Sequence, residues 1–141
     1  MFRRYRLGSG ERGQALVELA LVLLLLLLLL AGAVDLGRAF NNYIIVTNAS
    51  REGARYASHF PIHLRGILDA TEQEAANSGI TLTDSQIRVP TLGATAGNPI
   101  RVEITFPFST ILSDIVHVQT ITLTASTEMV VFGTRQPTPQ P

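Results

Sequence analysis

Gly13 and Glu18 flank the start of the most apolar stretch of the chain, and Glu18 is the fifth residue after that glycine. From Ala15 to Val34, twenty residues, Glu18 is the single charge, and Leu23 to Leu30 is an unbroken leucine run. A charge in the hydrocarbon of a bilayer costs roughly 2.5–3.5 kcal/mol at the centre of a spanning helix, so such a residue marks function and calls for a partner. The chemistry available is electrostatic: a carboxylate that must find a cation. The bland alternative is that Glu18, one turn inside the helix, reaches the headgroups.

Other candidates are weaker. His59 and His63 have metal-ligand spacing for one helix face, but Pro61 stands between them and no acidic or cysteine ligand is near. A helix end and a turn are expected there. Ser109, Ser113, Asp114 and His117 lie close together in a connector, which is not the geometry of a catalytic triad. The stretch Thr91 to Asn98 is turn-rich, without the lysine or helix of a phosphate-binding loop. The expectation is therefore a structural or interaction protein rather than an enzyme, with no cofactor and no metal.

The elements that position Glu18 follow from periodicity. A helix over these twenty residues is about 30 Å long, the thickness of a bilayer core. Arg3, Arg4, Arg6 and Arg12 precede it, and the next arginine is Arg38, so the N-terminus is expected in the cytoplasm and the rest outside. Ala31-Gly32-Ala33 resembles a small-residue cleavage site, which leaves a removable secretory signal as a rival. The mature N-terminus separates the cases: Gln14 for cleavage after Gly13, Val34 for a removed signal, Met1 for a plain anchor.

Beyond Val34 the helix is expected to continue to residue 58, with Leu36, Phe40, Tyr43, Thr47, Ser50, Ala54 and Ala57 on one stripe. That stripe is expected chiefly to pack on the chain's own domain, with a neighbouring subunit as the alternative. Ala49, Gly53 and Ala57 form a smooth strip for close approach, and Arg51, Glu52 and Arg55 an ion-pair face. Residues 62 to 78 predict a short amphipathic helix with Leu64, Ile67, Leu68, Thr71 and Ala75 inward, stopped by Gly79. The period then becomes two: a strand at Ile87 to Val89, another from Ile100 to Phe106 ended by Pro107, and a third with Ile121, Leu123, Ala125, Thr127, Met129 and Val131 inward. Phe108, Ile111, Leu112 and Ile115 are expected to fold over the sheet edge. The fold class is thus a membrane-anchored α+β protein, with about three antiparallel strands laid on the outer half of a long helix. Its divisions are a basic leader 1–13, a transmembrane helix 14–35, an exported domain 36–133 and a disordered Pro-rich tail 134–141.

Composition agrees. The eleven basic residues are all arginine and balance eleven acidic ones, so the clustered basic surface of a nucleic-acid binder is missing. Cysteine is absent, so an exported domain must hold by packing alone.

The basic leader, Gly13 and a glutamate fifth after it resemble the signal of type IV prepilins. RGQALVELALVLLLLLLLL, VDLGRAFNNYIIVTNASREGARYAS, VEITFPF and TLTASTEMVV, roughly residues 11 to 60 and 100 to 132, resemble the TadE-like pseudopilins of the tight-adherence (Flp) pilus. GQALVE and the run Arg51, Glu52, Gly53, Ala54, Arg55, Tyr56, Ala57 carry most of the likeness. The resemblance implies cleavage between Gly13 and Gln14 by a prepilin peptidase on the cytoplasmic side. It also implies that Glu18 pairs with the freed amine of an adjacent subunit, and that partners are pilin or pseudopilin subunits and pilus platform proteins. Location would be single-pass in the cytoplasmic (inner) membrane, or in a surface filament. Gln14 departs from the aromatic residue that many pilins carry first after the cut. The rival is a signal-anchored binding domain that never assembles.

Overall fold

The computed structural model describes residues 9–111 and 120–132, with side chains from Gly13 onward. The expectations for Leu112, Ser113, Asp114, Ile115, His117 and the tail 134–141 lie outside the described residues. Helix α1 runs unbroken from Ser9 to His59, 51 residues and so about 76 Å long. Leucine and alanine favour it throughout, and no proline intervenes before Pro61. From Leu16 to Leu30 its large apolar side chains all lie exposed. Among the described residues, this is the one helix long and apolar enough to cross a membrane.

A turn at Pro61 leads into α2 (Leu64–Asn77), which starts two residues later than the periodicity suggests and leaves Leu64 exposed. Gly66, Ile67, Leu68, Thr71 and Ala75 are buried. The helix closes as a Schellman motif: Gly79, at φ +87, donates to the carbonyl of Ala76, and Ile80 donates to that of Ala75. The left-handed conformation explains the glycine.

Strands β1 (Ile87–Arg88), β2 (Pro99–Phe108) and β3 (Ile121–Val130) form an antiparallel sheet in the order β1-β2-β3. Ile100, Val102 and Ile104 are fully buried, whereas Arg101 and Thr105 are exposed. On β3, Ala125 is buried, Leu123, Thr127 and Met129 are half-buried, and Ile121 is exposed at the strand's start, while Val131, just past its end, is buried. The wet face, Thr122, Thr124, Ser126 and Glu128, is as expected for β-branched and polar residues facing water. Arg101, opposite Glu128, ion-pairs with it across the strands.

Two expectations are corrected. Pro107 does not end β2, which continues to Phe108 in register with Ile121. Proline lacks a ladder donor, but the Val131 N–H bond to Asn98 sets the alternation so that position 107 faces away from β3, toward the edge where β1, paired only at Glu103 and Ile104, does not reach. Phe108 consequently lies on the strand, buried on the face of Ile100, Val102 and Ile104, rather than over the sheet edge. Ile111 is exposed.

The sheet lies along the outer half of α1. Ten-residue strands reach about 33 Å, and the helix from Asp35 to His59 reaches about 37 Å, so the two lengths match. The core joins Val46, Ala49, Ala54 and Ala57 of α1 to Ile67 and Leu68 of α2 and to the inner face of β2. One polar seam crosses it: Ser50 donates to the carbonyl of Thr47 at 2.8 Å and shares a 2.7 Å hydrogen bond with Thr127 of β3.

Candidate functional site

Gly13, Gln14 and Glu18 all lie on the uncovered part of α1, exposed and in continuous helix. Gln14 and Glu18 are four residues apart, hence on one face. Glu18 has no hydrogen-bond or ion-pair partner among the described residues, so nothing within them offsets its charge. A methyl group built at Gly13 meets nothing within 4 Å. Packing inside the chain therefore does not require glycine there, and alanine would favour the helix by about 1 kcal/mol.

The run Arg51 to Ala57 has a different setting. Ala54 and Ala57 are fully buried. Gly53 is where α2 crosses: a Cβ there would come 2.1 Å from Thr71 Oγ1 and 3.3 Å from Val102 Cγ1. Tyr56 spans to the other side of the turn, its hydroxyl 2.9 Å from His63 Nδ1. Gly66 sits against that pair, since a Cβ would come within 2.3 Å of the phenol oxygen and 2.4 Å of Nδ1. Gly66→Ala should push the two rings apart and lower stability by about 1–3 kcal/mol in thermal or urea unfolding. The helix ends at His59, whose ring stacks on Phe132, while His63 faces Tyr56, so the two histidines share no helix face.

Arg55 grips Glu52 through two hydrogen bonds, from Nε at 2.8 Å and Nη2 at 2.5 Å. The hydrogen bond from Arg55 is the chief reason that the Glu52 carboxyl lies below its ordinary value of 4.5. A lowered folded value adds stability above the unfolded value and loses it as pH falls through the folded one. The gain is small, about 0.2–0.5 kcal/mol for such an exposed pair. The stability difference between the parent and Glu52→Gln should accordingly shrink as melts are taken from neutral pH into the acid range. Arg51 is exposed and lines a shallow groove with Phe40, Tyr43, Ile44, Thr47 and Asn48.

The expected stripe divides here. Its distal half, Ser50, Ala54 and Ala57, is buried against the domain, but Leu36, Phe40 and Tyr43 are 73%, 65% and 46% exposed. The reading of the whole stripe as an internal packing face is therefore corrected. The inward residues nearer the apolar run are Asp35, Ile45 and Val46, displaced around the helix from the four-and-three pattern.

Asp35 was not legible as a special residue. It is 5% exposed, accepts from Arg38 Nη1 at 3.0 Å and from the backbone N–H of Ile111 at 2.9 Å. Arg38 lies over the Phe108 ring at 5.3 Å. The available sequence signal was an acid and a base three apart, directly after the apolar run.

No curated protein and no solved structure matches the chain significantly. A family model does match, that of TadE-like protein, over residues 13–55, which take in Gly13, Gln14, Glu18 and the run to Arg55. That match is confined to α1, from Gly13 to Arg55, and marks this stretch as similar to TadE-like proteins, in line with the resemblance its own residues carry.

Proposed function

We propose that this protein is a minor pseudopilin-like component of a tight-adherence pilus or a related secretion machine, assembling through the uncovered half of α1. The observation that carries the reading is Glu18: a carboxylate without a partner among the described residues, on a helix whose leucine run is bare. A staggered second helix whose N-terminus begins at Gln14 would bring an amine to it. An amine beside that carboxylate removes the cost of burying either charge alone. In this reading the arginine-rich leader stays in the cytoplasm, the α2 and sheet domain is exported, and a prepilin peptidase cuts after Gly13. The residues serve binding and register rather than catalysis, and the partners are pilin-like subunits and the platform that moves them.

Mass spectrometry of the N-terminus from native membranes tests it. The expected mature chain starts at Gln14, and Gly13→Leu should abolish that form. Because a side chain at Gly13 meets open space, failure of that variant to mature reports recognition rather than misfolding. A chain beginning at Met1 or Val34 would instead support an anchored or secreted domain that does not assemble.

A further inference from the structure

The domain's lower end carries an apolar surface at the level where α1 leaves its apolar run. Asp35 is the first charge after that run, and it takes the backbone N–H of Ile111. This bond fixes the β2–β3 end of the sheet beside the mouth of the span. Among its described residues this end carries large apolar side chains. Leu36, Ile111 and Ile121 are 73%, 47% and 44% exposed, and each is a large aliphatic side chain. Between helix and sheet lies an open recess of about 270 Å³, lined by Gly32, Asp35, Leu36, Phe108, Thr110 and Ile121. Its walls are almost wholly hydrocarbon. Gly32 belongs to the apolar run itself, so the recess reaches about one turn into the stretch that crosses the membrane.

We propose that this end of the domain is seated in the outer surface of the same bilayer, with Leu36, Ile111 and Ile121 in the interfacial layer and upper acyl-chain methylenes filling the recess. The inference rests on α1 spanning the membrane. Continuity identifies the occupant: the recess and the exposed surface of α1 share Gly32 and Leu36, and Asp35 between them is only 5% exposed, its carboxylate turned to the Ile111 N–H. Aliphatic groups held at this level gain by entering the headgroup–acyl boundary, which takes in side chains to about 5–10 Å. Arg38, half-exposed and already bound to Asp35, marks the upper limit, with its charged head at phosphate level. The domain is thereby held upright against the membrane rather than swinging above it.

The absence of cysteine makes the test direct, because each introduced thiol is unique. The full chain would be reconstituted in phosphatidylethanolamine and phosphatidylglycerol vesicles containing a lipid with a nitroxide high on its acyl chain. A small fluorophore would be attached in turn to Ile111→Cys, Ile121→Cys, Ala96→Cys and Leu25→Cys. Ala96 lies in an exposed turn at the opposite end of the sheet, near Val131, and Leu25 in the middle of the leucine run. Labels at 111 and 121 should be quenched several-fold more strongly than the label at 96, and shielded from aqueous iodide. Quenching at 25 with none at 111 or 121 would overturn the seating while leaving the span intact. Absence of quenching at 25 would remove the span on which the proposal stands. Shielding of 111 and 121 from both quenchers, relieved on dilution into excess lipid, would assign the surface to a second copy and also overturn the proposal.

Discussion

Glu18→Ala should insert and mature normally yet lose assembly by roughly two to three and a half orders of magnitude in the association constant. Removing one member of a buried charge pair leaves the other uncompensated, at about 3–5 kcal/mol, and each 1.4 kcal/mol is tenfold. Insertion should not suffer, since losing a charge makes the helix more compatible with lipid. Cleavage should not suffer either, because Gly13 and Gln14 remain as they are. The measurement pairs N-terminal mass spectrometry with quantitative crosslinking or co-purification of subunits from membranes. Glu18→Gln should behave like alanine, because it keeps the shape but removes the charge. If either variant assembled at parent levels, Glu18 would have no role in register.

Gly53→Val should cost about 2–3 kcal/mol of domain stability, the largest effect expected of a single change in α1's outer half. The Cβ of any residue there falls 2.1 Å from Thr71 Oγ1, and Thr71 is itself fully buried. Its hydroxyl donates to the carbonyl of Ile67 at 2.7 Å, and a β-branched side chain on a helix has few other rotamers. The clash therefore falls on the α1–α2 packing. Gly53→Ala should be milder, because alanine restores about 1 kcal/mol of helix propensity. In a Thr71→Ala background the alanine at 53 should become neutral or better, a coupling that a double-mutant cycle in detergent-solubilised protein would read. Equal costs in both backgrounds would place the strain elsewhere.

The long helix, the second helix and the strand faces were legible because each rests on a local period. A twenty-residue stretch with a single charge, a proline at 61, a glycine at 79 and alternation from Ile100 to Phe106 state their structure without help from distant residues. What escaped depended on contacts far apart in sequence. Pro107 looks like a stop unless one knows that β1 is too short to need its donor. Phe40 and Tyr43 share a stripe with Ala54, yet the sheet covers only the distal part of that stripe. Asp35 gained its place from Ile111, seventy-six positions away. For the candidate site, the spacing of Gly13 and Glu18 was plain in the chain, but the openness around Gly13 belongs to three dimensions. The packing of Gly53 on Thr71 could be guessed only as a smooth strip, not as a contact with a named residue.

The absence of any interruption in α1 between Leu16 and His59 has a mechanical consequence. A soluble head on a flexible stalk can be tugged without disturbing its root, whereas here the stalk and the spine of the head are the same rod. A sideways push on the sheet becomes a tilt of the leucine segment, and an upward pull is borne by that segment without slack. If that segment crosses the membrane as proposed, a partner that grips the head has direct leverage on the depth and lean of Glu18.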